Sequence, residues 1–225
     1  MLCIALIIIL LAVTAFLVWA CATISSGVWL KAECRGQGGR VYLTFDDGPE
    51  PGRTEKILDV LAERNAKAVF FLIGSKIEGN EALVERMLAE GHRVGIHSWS
   101  HSWKFPLMSV SQMSDEIERC GNTLEGIAGG PVKFFRPPFG VVNPTVARVV
   151  RRFGLRTVGW SIRTFDTSLL GREGGMEQIL EKVAGKLDDG AVILLHDRLE
   201  GSAELLGAML DLISGQGYSC DRPFD

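Results

Sequence analysis

Hydrophobic positions divide the chain into one unbroken apolar stretch near its start and, after residue 40, a regular alternation of short apolar runs with amphipathic segments. Short apolar runs bounded by turns are typical of buried strands, and apolar spacing of three and four residues is typical of helices. The pattern predicts strands over 41–45, 69–72, 93–96, 157–160 and 191–195. It predicts helices over 54–64, 81–90, 109–127, 145–153, 176–187 and 205–213. We expect the helix over 109–127 to be capped near Ser111.

Strands that alternate with helices, without repeated sequence, predict an α/β fold with a parallel sheet or barrel and helices outside it. The residues with chemically active side chains come at or just after the carboxyl ends of the predicted strands. In a (β/α) barrel this edge is the rim where active sites form. An open doubly wound sheet follows a similar rule, so this placement alone leaves both folds as alternatives.

The N-terminal 30 residues contain no charged side chain, and residues 4–22 are almost entirely apolar. That length can cross a bilayer as a helix. We interpret residues 1–30 as a membrane anchor, with a cleaved signal segment as the alternative. Residues 31–40 then form a linker, and residues 41–225 form one catalytic domain. Basic residues after the apolar stretch favour a cytoplasmic domain, although a folded domain can be exported against this tendency.

Composition excludes some function classes. The chain has 24 Lys and Arg against 27 Asp and Glu, and it lacks a basic tract, so no nucleic-acid partner is indicated. Five cysteines show no zinc-ribbon spacing. Cys34 and Cys220 could pair outside the cell, but we interpret them as unpaired small apolar residues. The sequence does not predict an oligomeric state.

Two adjacent carboxylates, Asp46 and Asp47, end the first predicted strand and are followed by a Gly-Pro turn. One carboxylate of such a pair can bind a cation while its neighbour accepts a proton. An isolated Asp-Asp-Gly-Pro sequence is more often a solvated turn or a helix cap, so this motif needs partners elsewhere in the chain.

Two histidines, His97 and His101, follow the third predicted strand with a spacing of four residues. We expect this spacing to place both imidazoles on one side of a helical turn, as zinc ligands often are. With Asp47 they form a predicted set of metal ligands that leaves positions open for water and substrate. His92 is predicted to be structural, and Trp99 and Trp103 are predicted to pack against the fold.

Arg136 follows the apolar pair at 134–135, and His196 follows the strand predicted over 191–195. Arg136 begins an Arg-Pro-Pro-Phe-Gly run that suits a rim loop, and its guanidinium can hold and orient Asp46. His196 is a natural general acid for an amine leaving group. Asp166 can raise the pKa of His196, and Asp197 is the alternative partner.

Five short segments, in this order, resemble the five motifs of the polysaccharide deacetylase family, which has the NodB homology domain and is carbohydrate esterase family 4. They are TFDDGP at 44–49, HSWSH at 97–101, RPPFG at 136–140, the segment 160–166 and LLH at 194–196. The resemblance covers about residues 40–220. It implies a distorted (β/α) barrel, one divalent ion, most typically Zn²⁺ with Co²⁺ or Ni²⁺ as alternatives, and removal of N-acetyl groups from hexosamine polymers.

The resemblance also implies a role for each matching residue. Asp46 is the expected base and His196 the expected acid, while Arg136 orients the base and Asp166 tunes the acid. The implied metal ligands are Asp47, His97 and His101. The implied substrate-binding residues are Phe139, Leu194 and Trp160. Leu194 would line the pocket for the acetyl methyl group.

Two positions depart from the family pattern that the resemblance implies. Phe139 stands where the family usually has tyrosine, and its implied role is a backbone N–H that stabilises the oxyanion, which phenylalanine also supplies. Thr167 stands where many relatives carry a tryptophan, so the pocket wall differs there.

Taken together, these features predict a metal-dependent hydrolase that removes acetyl groups from N-acetylated sugars of peptidoglycan, a chitin-like oligomer or a related envelope glycan. The expected partners are this glycan and, through the N-terminal segment, the membrane, with the catalytic domain outside it. One alternative is hydrolysis of a C–N bond in a small molecule. A second alternative is a catalytically silent glycan-binding module, which the presence of both Asp46 and His196 disfavours.

Overall fold

Seven parallel strands form one curled sheet in the computed structural model, which describes residues 1–224. The strands are β1 (Tyr42–Gly48), β2 (Ala68–Leu72), β3 (Arg93–Ile96), β4 (Phe134–Phe135), β5 (Arg156–Thr157), β6 (Ile162–Arg163) and β7 (Val192–His196). Their order across the sheet is β5-β4-β3-β2-β1-β7-β6, so β5 and β6 are its edges. This curled half-barrel with helices around it confirms the predicted distorted (β/α) barrel.

Eight α-helices accompany the strands in the described part of the chain. They are α1 (Leu2–Ala22), α2 (Thr54–Glu63), α3 (Glu81–Ala89), α4 (Val110–Ala128), α5 (Pro144–Phe153), α6 (Asp166–Leu169), α7 (Gly175–Ala184) and α8 (Ser202–Gly215). The predicted helices are confirmed to within a few residues. The two-residue strand β6 and the four-residue helix α6 were not predicted, and the strand expected over 157–160 is observed as Arg156–Thr157.

The cap expected near Ser111 lies two residues earlier, at Ser109. The N-cap of α4 is Ser109, whose hydroxyl accepts a hydrogen bond from the Gln112 N–H at 3.3 Å. The Gln112 side chain in turn accepts from the Ser109 N–H at 3.0 Å. This reciprocal pair is a capping box, and it requires the serine to lie three residues before the glutamine.

The two faces of the sheet have different roles because successive side chains of a strand point in opposite directions. On the outer face, Phe45, Ile193 and Leu195 belong to the large apolar core. The inner face carries a smaller apolar cluster that includes Phe71 and Val192. The polar residues of β1 and β7 lie on the inner face, next to this cluster.

Residues 31–40, predicted to be a linker, lie against the domain. Glu33 pairs in parallel with Val158 beside β5, and Arg35 pairs with Ala191 beside β7. The Glu33 carboxylate also accepts hydrogen bonds from Arg156 at 2.6 and 2.9 Å. The segment therefore runs from the edge strand β5 to the start of β7. The domain boundaries stay a prediction.

The helix α1 is long and apolar enough to cross a membrane, and no part of its most apolar window is buried against the domain. A signal sequence near an N-terminus has the same properties. At the end of the helix, the Cys21 carbonyl accepts a hydrogen bond from the Val142 N–H at 2.9 Å. All five cysteines, including Cys34 and Cys220, are free.

The turn after β1 depends on a close approach between Gly48 and Asp197. Asp197 is fully buried, and its carboxylate accepts a hydrogen bond from the Thr54 hydroxyl at 2.7 Å. Burial raises the pKa of Asp197 to about 7. A Cβ atom at Gly48 would overlap this carboxylate. The aspartate that sequence analysis offered as an alternative partner of His196 thus supports the turn that carries Asp47.

We predict that Gly48→Ala lowers the free energy of unfolding by about 1–3 kcal/mol, because the added methyl group overpacks a buried contact. The matched control is Gly126→Ala in α4, where no atom lies within 4 Å of the added carbon. The control should stabilise the protein by up to about 1 kcal/mol, since alanine favours a helix interior over glycine. Urea unfolding of the two full-length variants in detergent measures both changes in the free energy of unfolding. Equal changes for the two substitutions would contradict the prediction.

Candidate active site and metal centre

The predicted catalytic and metal-binding residues meet at one edge of the sheet. Asp46 lies beside His196 in the register between β1 and β7. His97 follows the end of β3, and its N–H donates to the Leu72 carbonyl at 3.0 Å. Because parallel strands end at a common edge, residues far apart in the chain converge there.

Asp47, His97 and His101 form a compact cluster, in which one ligand atom of each residue lies within 4.8 Å of the others. The Asp47 Oδ1 atom is 3.5 Å from Nε2 of His97 and 3.3 Å from Nε2 of His101. This oxygen is buried and has no hydrogen-bond partner among residues 1–224. A buried carboxylate oxygen facing two imidazole nitrogens fits a divalent cation, so the residues present fit the metal that the family resemblance implies.

The hydrogen bond on the far side of the His97 ring determines which nitrogen can bind a metal. Nδ1 of His97 lies 2.7 Å from the Arg136 carbonyl oxygen, which can only accept a hydrogen bond. Nδ1 therefore carries the proton, and the lone pair of Nε2 faces Asp47. This is the usual arrangement of a histidine that binds a metal.

The helical turn predicted for His97 and His101 was wrong, although the two side chains do converge. The segment between them is a loop in which Ser98 and His101 both have positive φ angles, of 67° and 48°. The Ser98 hydroxyl accepts a hydrogen bond from the His101 N–H at 3.0 Å. The Glu116 carboxylate, from α4, accepts from two loop N–H groups at 3.1 and 2.8 Å. The loop N–H groups thus donate to side chains, whereas in a helix they would donate to backbone carbonyls.

The protonation states at this cluster suit metal ligands. Burial raises the pKa of the Asp47 carboxyl, but its interactions with His97, and then with His101 and Arg198, bring it well below its usual range. Burial, with a smaller contribution from His97, lowers the pKa of His101. A carboxylate and a neutral imidazole are the forms that bind a cation.

Asp46 is held by the fully buried guanidinium of Arg136. The Nη1 group of Arg136 donates to Asp46 Oδ1 at 2.7 Å and to the Thr44 hydroxyl at 2.9 Å. Its other nitrogens donate to the carbonyls of Val158 and Gly159. The second carboxylate oxygen of Asp46, Oδ2, is 3.8 Å from Nε2 of His97. Asp46 is thus fixed through one oxygen and turned toward the metal ligands with the other.

His196, beside Asp46 on the neighbouring strand, is held by Asp166. Asp166 Oδ1 lies 2.9 Å from Nδ1 of the ring, and Asp166 Oδ2 accepts from the His196 N–H at 2.7 Å. Nε2 of His196 lies 4.0 Å from Asp47 Oδ2. Burial lowers the pKa of His196, but the hydrogen bond and charge of Asp166, with smaller contributions from Asp46 and Asp47, raise it above its usual value.

The three residues expected to bind substrate have different environments. Leu194 is buried on β7, whereas Trp160 is partly buried against the inner apolar cluster. Phe139 is 50% exposed, its ring lies 4.8 Å from the ring of His101, and its backbone has a φ angle of 60°. Phe139 therefore belongs to the rim beside the predicted metal ligands. The substrate-binding roles stay predictions.

Arg198, whose Nε group donates to Asp47 Oδ2 at 2.8 Å, was not among the predicted site residues. Its position two residues after His196, at the same strand end, was the signal that could have revealed it. Glu116 was also missed, because it lies in the middle of α4, far from any strand end. The packing prediction was wrong for Trp103, which is 70% exposed. His92 is buried at the start of β3, away from the rim, and its Nδ1 accepts a hydrogen bond from the Ala68 N–H at 3.2 Å.

Comparison with known proteins places these residues in a family. The model described as "Polysaccharide deacetylase" matches residues 35–158. Peptidoglycan-N-acetylglucosamine deacetylase PgdA of Listeria monocytogenes is 37% identical over 179 residues, which are 80% of this chain and 37% of PgdA. The chain therefore spans little more than a third of that relative.

Two Bacillus subtilis proteins are similar over a larger share of their own length. Peptidoglycan-N-acetylmuramic acid deacetylase PdaA is 32% identical over 180 residues, which are 80% of this chain and 68% of PdaA. The solved structure of peptidoglycan deacetylase PdaC superimposes with a TM-score of 0.73 at 31% identity, covering 81% of this chain and 86% of that structure.

We predict that the full-length protein binds one Zn²⁺ ion and that His101→Ala weakens this binding by more than about 10-fold, the loss that even a substitution beyond the ligands can cause. His92→Ala is the matched control, because His92 is a histidine distant from the cluster. Isothermal titration calorimetry of the protein in detergent measures both affinities. If wild type and His101→Ala bound Zn²⁺ with equal affinity, the proposed metal site would be contradicted.

Proposed function

The chain belongs to the polysaccharide deacetylase family, and we propose that it hydrolyses N-acetyl groups of N-acetylhexosamine residues in a polysaccharide, releasing acetate, in a metal-dependent reaction. The observation that carries this proposal is the convergence of the Asp47, His97 and His101 cluster with the Asp46 carboxylate and the His196 imidazole. Peptidoglycan deacetylation, the activity named for PgdA and PdaA, supports the substrate class.

Two imidazoles and one carboxylate are a donor set that suits Zn²⁺, with Co²⁺ and Ni²⁺ as chemically similar alternatives. Asp47, His97 and His101 would hold such an ion. When bound, it supplies Lewis acidity, which lowers the pKa of water and polarises the acetyl carbonyl.

Asp46 accepts the proton of the attacking water. Its Oδ1 atom is engaged by Arg136 at 2.7 Å, so the carboxylate cannot rotate away. Its Oδ2 atom faces the ligand cluster, 3.8 Å from His97 Nε2, and takes the proton there. A base that is positioned before the substrate arrives contributes more than a mobile one, because it costs no reorganisation during the reaction.

The backbone N–H of Phe139 stabilises the negative charge that develops on the acetyl oxygen. The two residues before it, Pro137 and Pro138, have no N–H to donate. Phe139 is therefore the first residue after Arg136 with an amide donor, and its ring contact with His101 keeps this loop beside the metal ligands. A fixed amide aimed at a developing oxyanion is a large contribution to acyl-transfer catalysis.

His196 donates a proton to the sugar nitrogen as the bond to the acetyl group breaks. Asp166 holds Nδ1 at 2.9 Å, which leaves Nε2 directed into the site. Free amine and acetate are the products. The proton taken by Asp46 and the proton given by His196 thus move beside the same cluster.

For location, we propose that α1 anchors the protein in the membrane with the catalytic domain on the outer side. The length and apolar character of α1 support this, and the peptidoglycan named for the relatives lies outside the cytoplasmic membrane. Cleavage of α1 as a signal segment is the alternative, and it would leave the domain on the same side.

We predict that Asp46→Asn and His196→Ala each reduce acetate release from acetylated glycans by about 10²–10⁴-fold, the usual contribution of a general base or acid. Asp115→Asn is the matched control, since Asp115 is an exposed carboxylate on α4. Acetate is quantified after incubation of the zinc-loaded full-length protein with acetylated chito-oligosaccharides and with peptidoglycan. Acetate release by both variants at the wild-type rate would contradict the proposed mechanism.

A second prediction concerns pH. His196 must be protonated to act as an acid, and the Asp166 carboxylate raises the pKa of His196 by stabilising the imidazolium. Asp166→Asn removes that charge, so the pKa falls and the alkaline limb of the activity profile moves to lower pH. A profile of kcat/KM against pH for wild type and variant measures this shift. An alkaline limb that stays in place, or moves to higher pH, would contradict the assigned role.

A further inference from the structure

Two cations, Arg163 and Lys182, lie beside the site without a role in the reaction described above. We propose that they form a carboxylate-binding subsite and that the glycan substrate therefore carries a carboxylate on or next to the acetylated sugar. This inference rests on the proposed function, because it names the class of polysaccharide on which the same site acts.

The register of the edge strand places Arg163 on the inner face of the sheet. Ile162 pairs with Ile193, and both belong to the outer apolar core. Arg163, the next residue, pairs with Leu194, which in turn pairs with Thr44 of β1. Since paired residues of parallel strands point to the same side, Arg163 lies on the face that carries Asp46.

Aromatic rings connect Arg163 to the active site. Its guanidinium carbon lies 4.8 Å from the ring centre of Phe165 and 6.0 Å from that of Trp160. The guanidinium of Arg136, which holds Asp46, lies 5.6 Å from the same Trp160 ring. One glycan chain can therefore contact Trp160, the site and Arg163 together.

Lys182 adds a second positive charge to the same place. Its Nζ atom, from α7, lies 3.7 Å from the ring centre of Phe165, so the two cations share one aromatic side chain. Phe165 is 41% exposed and directly precedes Asp166, the partner of His196. A sugar bound at His196 would therefore lie close to this pair of cations.

No carboxylate among residues 1–224 forms an ion pair or hydrogen bond with Arg163 or Lys182. The other two arginines at the site are already engaged, Arg136 with Asp46 and Arg198 with Asp47. Burial lowers the pKa of Lys182, and repulsion from the charges of Lys186 and Arg163 lowers it further. A bound anion would relieve this repulsion and accept charge-assisted hydrogen bonds from both side chains.

In peptidoglycan, two sources supply such a carboxylate. N-acetylmuramic acid carries a lactyl carboxylate that is free only where no peptide is attached, because the peptide converts it to an amide. The attached peptides carry carboxylates of their own. N-acetylglucosamine carries neither, so a neutral glucosamine polymer cannot use this subsite.

The test compares full-length wild type, Arg163→Gln, Lys182→Gln and a control, Arg148→Gln. Arg148 is an exposed arginine on α5. Acetate release is measured on acetylated chito-oligosaccharides, on peptide-free peptidoglycan strands and on intact peptidoglycan. We expect each subsite variant, but not the control, to lower the ratio of kcat/KM for carboxylated over neutral substrate by about 10-fold, mainly through KM. A loss confined to peptide-free strands identifies the lactyl carboxylate, and a loss confined to intact peptidoglycan identifies a peptide carboxylate.

Binding of the same three glycans to Asp46→Asn, with and without Arg163→Gln, separates the subsite from the reaction. If Arg163→Gln weakens binding of carboxylated glycans while wild type releases no acetate, the subsite stands and the proposed reaction fails. If acetate is released but the substrate ratio and the binding match those of the Arg148→Gln control, the subsite is wrong and the reaction stands.

Discussion

A guanidinium that is completely removed from water needs an anion and a full set of acceptors, and Arg136 meets this requirement at the centre of the inner face. Its side chain bonds Asp46, Thr44 and the carbonyls of the segment after β5, while its own carbonyl fixes the tautomer of His97. One residue therefore connects the predicted base on β1, a predicted metal ligand that follows β3 and the segment that follows β5. Removing one partner of a buried ion pair typically lowers the free energy of unfolding by about 3–5 kcal/mol. The pair of Arg136 and Asp46 therefore matters both for the stability of the fold and for the geometry of the site.

Asp47 is also a buried charge that is held by charged and polar neighbours. Its two oxygens face in different directions: Oδ1 faces the imidazoles of His97 and His101, and Oδ2 accepts a hydrogen bond from Arg198. Beneath the turn, the buried carboxyl of Asp197 supports the backbone through Thr54. The rim is thus a layered arrangement in which Asp46, Asp47 and His196 are each held by a polar group, namely Arg136, Arg198 and Asp166. Such support positions catalytic groups before the substrate binds.

Much of this arrangement could be predicted from the sequence, because the strands near 41–45, 69–72, 93–96 and 191–195 are short apolar runs with clear boundaries, and a parallel sheet brings their ends together. The loop of His97 and His101 could not, since its shape depends on Glu116, a residue of another helix that reaches it only in the folded chain. The strand β6 has two residues and no detectable periodicity, so neither it nor the inward position of Arg163 was predictable. Trp103 shows that an aromatic side chain next to a motif need not be buried.

The central claim is that Asp47, His97 and His101 bind one cation between the predicted base and the predicted acid. Crystals of the full-length protein grown with Zn²⁺ and measured at the zinc absorption edge test it most directly. We expect one anomalous peak within about 2.0–2.2 Å of an Asp47 oxygen and of Nε2 of both histidines, the range of zinc–nitrogen and zinc–oxygen bonds in proteins. Zinc bound elsewhere while this cluster stays free of it, with the three side chains turned apart, would contradict the account.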